Sequence, residues 1–170
     1  MKGNFSIIPF KTEHGIEITR GIMNSSKVQI DKEWEEYLHE LEQPGNSFTA
    51  IYNGDVILSG GMTFLWEGVY EGWVIAPTAS VRWPHEGWVI ASNKVWDYPL
   101  ASARIVKKTF EQLIEKNKVV RLQTAVKDNF KLGHRFASWL GLENEGIMKK
   151  YISNEDHTRY ARITKWDYQQ

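Results

Sequence analysis

The chain has 170 residues, and 42% of them are hydrophobic, which is enough for one domain with a substantial core and argues against intrinsic disorder. Its 21 basic and 21 acidic residues balance, and no polybasic run occurs, so nucleic acid is not an expected partner. The absence of cysteine excludes disulfides, thiolate metal sites and a cysteine nucleophile. No apolar stretch approaches the roughly 20 residues of a membrane span or forms a secretion signal, so we expect a cytoplasmic location without a membrane partner.

The first 45 residues predict a strand followed by two helices. Residues 5–10 form a short apolar run, and Pro9 within it places this strand near the edge of a sheet. Thr12 is suited to cap a helix that ends near residue 23. Asp31 is a good N-cap for a second helix over residues 32–41.

The middle of the chain is rich in β-strand patterns. Residues 47–52 and 56–64 predict two strands, and Asn53-Gly54 between them favours a two-residue hairpin. Gly60-Gly61 inside the second strand indicates a bulge or a close approach of another backbone. We therefore expect an antiparallel pair here.

A six-residue segment, EGWVIA, occurs at residues 71–76 and again, letter for letter, at residues 86–91. Two copies between helical patterns do not indicate a solenoid. We interpret the repeat as a local duplication that added one strand and a loop. Which copy lies in the centre of the sheet stays open at this point.

The C-terminal part alternates helices and strands. Pro99 suits the first turn of an amphipathic helix of about five turns. A second helix is capped by Asp128 or Asn129 and closed by Gly141 at the C′ position. Three further segments read as strands: residues 119–126, 145–152 and 158–166. The whole order is β-α-α-β-β-β-α-β-α-β-β, which predicts one α/β domain over residues 1–170 with a mixed sheet and helices on both faces.

This order resembles the fold of the GCN5-related N-acetyltransferases (GNAT). Leu140-Gly141-Leu142 stands where that family commonly has Leu-Gly-Phe. The sequence is also similar to the small acetyltransferase-like proteins of short-tailed bacteriophages. Four segments carry that similarity: WEGVYEGW at 66–73, Arg135-Phe136-Ala137, the run from Glu145-Gly146 to Tyr151, and Tyr160-Ala161-Arg162. The resemblance covers residues 47–166 well and implies a GNAT-like fold that uses acetyl-CoA as a co-substrate.

The resemblance also implies where acetyl-CoA would bind, namely on a splayed central strand and at the N-terminus of the helix that follows it. Because the second copy of the repeat directly precedes that helix, the expected coenzyme-binding residues are Val89, Ile90, Ala91, Ser92, Asn93 and Lys94, with Asn129 before the shorter helix. The first copy, ending in Val74-Ile75-Ala76-Pro77, is the competitor. Residues 92–99 lack the glycines usual in the family and include Asp97, so a helix without a ligand is the alternative.

The acetyl transfer would need a base and an acid. The resemblance places the carboxylate base at Glu86, or at Glu71 in the other copy, and a solvated glutamate at the start of a strand is the alternative interpretation. The usual tyrosine that protonates the thiolate would fall near Ala137 and is missing. Tyr151 is the expected substitute, with Tyr160 or water as alternatives. The five histidines show no metal-ligand spacing, so no metal is expected.

Three hypotheses follow. The first is an acetyl-CoA-dependent N-acetyltransferase acting on a small-molecule or protein amine. The second is a GNAT-like bacteriophage protein that has lost catalysis and binds phage structural proteins in the host cytoplasm or the virion, since a degraded site can sit on an intact fold. The third rests on the aromatic content alone and is a small-molecule binding module whose pocket lies away from the central strand.

Overall fold

A computed structural model describes residues 5–22, 30–75, 97–152 and 154–167. In chain order its elements are β1 Phe5–Pro9, α1 Thr12–Ile22, α2 Lys32–Glu40, β2 Ser47–Tyr52, β3 Asp55–Trp66, β4 Val69–Ile75, α3 Pro99–Asn117, β5 Arg121–Lys127, α4 Lys131–Trp139, β6 Glu143–Ile152 and β7 Glu155–Ile163. This is the predicted order of elements, so the predicted α/β fold class is confirmed. In the part of the chain that the structure describes, no helix is long and apolar enough to cross a membrane.

The strands within these described ranges form one seven-stranded sheet in the order β1-β2-β3-β4-β5-β7-β6. All neighbours pair antiparallel except β4 and β5, which are parallel. The predicted hairpin between β2 and β3 is confirmed, because Asn53 and Gly54 both have the positive φ that a type I′ turn requires. Gly61 confirms the predicted close approach, since a Cβ there would lie 2.7 Å from the carbonyl oxygen of Asn46.

The N-termini of the first two helices are held in different ways. Asp31 caps α2 as predicted, and its carboxylate accepts hydrogen bonds from the backbone N–H groups of Glu33 and Trp34 at 2.7 and 3.3 Å. Thr12 was expected to cap α1 but is its first helical residue. The cap comes from Glu42, 30 residues away, which accepts from the Thr12 N–H at 3.0 Å and from the Thr12 hydroxyl at 2.9 Å.

The predicted cap of α4 is wrong. The N-cap residue is Phe130, and no side chain bonds to the free N–H groups there. Asp128 is instead drawn to β7: its N–H donates to the Asp156 carbonyl at 3.0 Å, and its carboxylate accepts from the Thr158 hydroxyl at 3.4 Å. The predicted C′ glycine is confirmed at Gly141, where φ is 86°.

Helices cover both faces of the sheet, as predicted. On one face α3 packs against the sheet through Val106, Phe110, Leu113 and Ile114, and α4 extends that layer through Ala137. On the other face α1 and α2 enclose a second cluster with Trp73 of β4, and its other members are Phe10, Ile18, Leu38, Leu41 and Val56. The two faces of β4 therefore belong to different layers, with Gly72 under α3 and Glu71 and Trp73 towards α1 and α2.

Candidate active site

The parallel strands β4 and β5 separate part of the way along their length. They pair at Val69–Arg121, Tyr70–Leu122 and Glu71–Gln123, and not beyond. β4 goes on pairing with β3 as far as Ile75, and β5 goes on pairing with β7 as far as Lys127. Within the described residues, the edges that Gly72–Ile75 and residues 124–127 turn towards each other are therefore not bonded to each other, and no described strand satisfies these backbone groups, which suits them to bind a ligand.

A cavity of about 50 Å³ lies against this gap, between the two strands and the helices α3 and α4. Its walls are almost entirely apolar: Gly72, Trp73, Phe110, Leu122, Thr124, Ala125, Val126, Phe130, Gly133, Phe136, Ala137, Leu140 and Leu142. Gly72 leaves the apex clear, because a Cβ there would lie 3.0 Å from Cε1 of Phe110 and 3.1 Å from Cδ1 of Leu122. Such a lining suits an acetyl group and a methylene chain rather than a charged ligand.

The first copy of the repeat supplies the β4 side of this gap. Its residues Glu71 to Ile75 end β4, and Glu71 is the last residue that pairs with β5. The second copy, residues 86–91, lies outside the described residues, and so do the predicted site residues Glu86, Val89, Ile90, Ala91, Ser92, Asn93 and Lys94. The competitor that the sequence left open is thus the copy whose place beside the gap is known.

Glu71 stands at the apex of the gap, on the face towards α1 and α2. Burial raises the pKa of its carboxyl above the ordinary range, and the field of Arg159 works weakly in the opposite direction. No hydrogen bond or ion pair joins the Glu71 carboxylate to any other described residue. Burial, and then the negative charge of Glu71, raise the pKa of the Tyr37 hydroxyl on α2. Glu71 is therefore a half-buried carboxylate with a raised pKa, the condition in which a side chain can act as a general base.

Tyr151, the predicted acid, lies near the end of β6, the edge strand of the sheet. Three strand spacings separate β6 from β4, which is about 14 Å. The Tyr151 hydroxyl accepts a long hydrogen bond of 3.4 Å from Arg159, whose guanidinium lies over the tyrosine ring at 5.5 Å. Among the described residues, Tyr151 contacts Arg159, and the charge of Arg159 in turn acts on Glu71 where the strands separate. Tyr160, the alternative acid, is buried on the other face of the sheet, where its hydroxyl lies 3.1 Å from Nδ1 of His134.

The two helices at the gap bear on the other predictions. Ala137, where the family tyrosine would stand, is buried and forms part of the cavity wall. Asn129 lies exposed in the turn before α4, and its carbonyl accepts from the Lys131 N–H at 3.2 Å. The coenzyme contact predicted for Asn129 stays a prediction.

The N-terminus of α3 has no side-chain cap among the described residues. Its N-cap is Tyr98, which makes no side-chain hydrogen bond to the helix, and no acidic residue lies in the first turn. Pro99 follows at the first helical position, as predicted. The centroid of the Tyr98 ring lies 4.2 Å from that of Tyr52 and 6.4 Å from that of Phe5. The free N–H groups and the dipole at this end are suited to an anion, although Asp97 next to them is acidic.

Sequence analysis missed Arg159 and left Glu71 as an alternative. Arg159 lies on the same face of the sheet as Glu71, since its neighbour Tyr160 packs with Val126 and Ala137 on the α4 side. Finding that relationship requires the register of β5 with β7, which no local pattern in the sequence reveals. Among the described residues no group of His, Asp and Glu side chains could hold a metal ion.

No family model and no curated protein matches the sequence. Solved structures match its fold along nearly its whole length. A GNAT-family acetyltransferase from Bacillus anthracis has a TM-score of 0.62 at 15% identity, covering 96% of this chain and 97% of its own. Ard1 from Thermoplasma volcanium has a TM-score of 0.68 at 13% identity, with 94% and 97% covered. The ribosomal protein L7/L12 α-N-acetyltransferase RimL, solved in complex with coenzyme A, has a TM-score of 0.66 at 11% identity, with 96% of each chain covered. The chain therefore has the GNAT fold.

Proposed function

We propose that this chain is an N-acetyltransferase that uses acetyl-CoA as its co-substrate and acetylates an amine carried by a small molecule or a protein. One observation carries the proposal: β4 and β5 separate directly after Glu71 and Gln123, an apolar cavity lies against the gap on the α3 and α4 side, and the Glu71 carboxylate stands where the strands separate, with no hydrogen bond or ion pair to a described residue. The GNAT fold supports it, and a solved protein of the same fold is in complex with coenzyme A.

In this proposal the chain's own residues bind and orient the co-substrate. Acetyl-CoA supplies an acetyl group on a thioester. The unpaired backbone edge of Gly72–Ile75 offers N–H groups to the acetyl carbonyl and to the amide groups of the pantetheine arm. The apolar cavity holds the acetyl methyl and excludes water, and the N-terminus of α3 attracts the diphosphate.

Glu71 is the proposed base. Its carboxylate takes a proton from the acceptor ammonium, the amine nitrogen bonds to the acetyl carbon, and the carbon–sulfur bond breaks. The acylated nitrogen releases its second proton to water and the thiolate takes up a proton, so that a neutral amide and a free thiol leave. Tyr151 and water stay the candidates for that last proton. Glu86 stays an alternative base, because it holds the equivalent position in the second copy of the repeat.

Calorimetry of the full chain with acetyl-CoA, together with thiol release in the presence of amines, tests the proposal. We expect measurable heat and a rise in the unfolding temperature, since a ligand that binds only the folded state stabilises it. Glu71→Gln should bind acetyl-CoA normally and lose transfer, whereas Glu86→Gln should retain it. The reverse pattern would move the base to the second copy. No heat and no stabilisation at millimolar acetyl-CoA would remove the proposal.

Ala137 favours a second candidate function. An alanine in the cavity wall where the family has a tyrosine is compatible with a GNAT-like bacteriophage protein that has lost catalysis and serves in binding or virion assembly. This rival predicts that the protein is part of purified particles and that no amine releases thiol. Acetyl transfer together with absence from particles would exclude it. The third hypothesis requires a pocket away from the central strand, whereas the cavity described above lies against that strand.

A further inference from the structure

Arg159 is a half-buried cation without an acidic partner among the described residues. Its side chain donates to the Met148 sulfur, from Nε at 3.2 Å and from Nη2 at 3.0 Å, and to the Tyr151 hydroxyl at 3.4 Å. A thioether is a weak acceptor and the phenol bond is long, so most of the five N–H donors lack a strong partner. A guanidinium withdrawn from water in this way is costly unless an anion joins it.

Two neighbouring arginines on β5 and β7 have carboxylate partners, whereas Arg159 has none among the described residues. Arg121 makes a bidentate ion pair with Glu145, and Arg162 makes one with Glu111 at 2.5 and 3.1 Å. Glu145 lies within the field of Arg159, but both of its carboxylate oxygens accept from Arg121. Glu145 is therefore already paired, and the guanidinium of Arg159 donates only to the Met148 thioether and the Tyr151 phenol, with no carboxylate partner among the described residues.

The position of Arg159 connects this cation to the gap. In the β5–β7 register Arg159 lies opposite Ala125, and Ala161 lies opposite Gln123, which itself pairs with Glu71. Two strand spacings and a two-residue step separate the Cα atoms of Glu71 and Arg159 by about 12 Å. Ala125, the residue between them, is small and forms part of the cavity wall. The Glu71 carboxylate and the Arg159 guanidinium thus lie on the same face of the sheet, two strands apart.

We propose that Arg159 binds a carboxylate of the acceptor, so that the acceptor is a small zwitterionic amine whose ammonium group lies at Glu71. This inference rests on the proposed acetyltransferase function. A carboxylate matches the planar fork of a guanidinium with two parallel hydrogen bonds. Glu71 then binds the ammonium group and Arg159 binds the carboxylate. A simple amine makes only the first of these two interactions.

Matched pairs of acceptors test this substrate class. Thiol release is measured with L-alanine and ethylamine, and with 4-aminobutyrate and propylamine, so that each amino acid stands beside the amine lacking its carboxylate. The wild type should prefer the amino acid in at least one pair by about 10- to 100-fold in kcat/KM. Arg159→Gln should abolish that preference by lowering kcat/KM for the amino acids while leaving kcat/KM for the simple amines unchanged. Arg159→Lys should restore part of the preference.

Two further measurements keep the outcome decisive. Arg135→Gln is the matched control, because Arg135 is an exposed arginine of α4 that makes no hydrogen bond or ion pair with a described residue, and the substitution should change nothing. Product binding needs no catalysis: N-acetylalanine should shift the NMR signals of the wild type and not those of Arg159→Gln, while N-ethylacetamide should shift neither as strongly.

The outcomes separate the two proposals. Acetyl-CoA binding and transfer to amines without a carboxylate preference would overturn the role of Arg159 alone. A preference that survives in Arg159→Gln would do the same. A failure of acetyl-CoA to bind would remove the acetyltransferase function, and N-acetylalanine would then report by itself whether Arg159 forms a carboxylate site.

Discussion

At the scale of single residues, the proposed role of Glu71 as the base makes its raised pKa the determinant of the pH dependence expected for transfer. A base must be deprotonated, so kcat/KM should fall as the pH decreases through a pKa above the roughly 4.3 of an ordinary glutamate. Arg159 lowers that pKa, so Arg159→Gln should move the acid limb to higher pH. Glu71→Gln should reduce kcat/KM by about 10²- to 10⁴-fold and abolish this limb. A profile of thiol release against pH measures both effects, and an unshifted limb in Arg159→Gln would contradict the assignment.

The same pKa shift means that ionised Glu71 lowers the free energy of unfolding at neutral pH. A carboxyl whose pKa is raised by folding contributes stability that is present below its unfolded pKa and is lost as the pH rises through the folded value. Glu71→Gln, which stays neutral, should therefore have a higher unfolding temperature than the wild type at neutral pH. The difference should vanish at about pH 4. Equal melting curves of both proteins from pH 4 to pH 8 would show that the burial of Glu71 has no energetic consequence.

The pKa of Glu42 is shifted in the opposite direction, below its ordinary value. The hydrogen bond from Lys11, followed by that from the Thr12 N–H, holds its pKa at about 2. Its contribution to stability is present above the unfolded pKa and is lost as the pH falls towards 2. Glu42→Gln should lower the free energy of unfolding by about 1 kcal/mol at neutral pH, the usual effect of losing a helix cap. Urea titrations at pH 7 and pH 3 measure this, and Glu40→Gln, on the exposed side of α2, is the control.

At the scale of elements, the apex of the gap depends on a residue without a side chain. Gly72→Val would push Phe110 of α3 and Leu122 of β5 apart, since even a Cβ would lie 3.0 and 3.1 Å from their side chains. We expect a loss of about 1–3 kcal/mol in unfolding free energy and weaker acetyl-CoA binding, measured by urea titration and calorimetry. Gly21→Ala is the matched control: nothing lies within 4 Å of a Cβ there, so it should stabilise α1 slightly. Unchanged binding in Gly72→Val would separate the cavity from the co-substrate.

Elements could be predicted from the sequence wherever the signal was local. The turn at Asn53-Gly54 is specified by those two residues, and Asp31 caps the helix that begins at the next residue. Helix caps that depend on distant residues could not be predicted. Glu42 caps α1 from 30 residues away, and Asp128 bonds to Thr158 of β7 instead of capping α4. The candidate site has the same limit. The sequence contains Glu71 as one of two copies, but its place at the last paired residue of β4 depends on a register with β5 that lies some 50 residues further along the chain.

At the scale of the whole molecule, the sheet consists of two halves that meet at three residue pairs. β1 to β4 form one half and β5 to β7 the other, and in the described part of the chain only residues 69–71 of β4 join them by strand pairing. The rest of the connection comes from α3, which packs on Leu58 and Met62 in one half and on Leu122 in the other. A ligand lodged between the free edges would therefore brace both halves at once.

Hydrogen exchange should reveal this bracing. Without a ligand, the amides of Gly72–Ile75 and residues 124–127 that face the gap should exchange faster than those bonded to β3 or β7, because no described strand pairs with them across the gap. Acetyl-CoA should slow both sets and leave the β1–β2 pairing unaffected, since that pairing lies at the far edge of the sheet. Protection confined to one strand would mean that the ligand binds a single edge. Protection of neither, with heat still released on binding, would place acetyl-CoA outside the gap and separate the fold from the mechanism proposed for it.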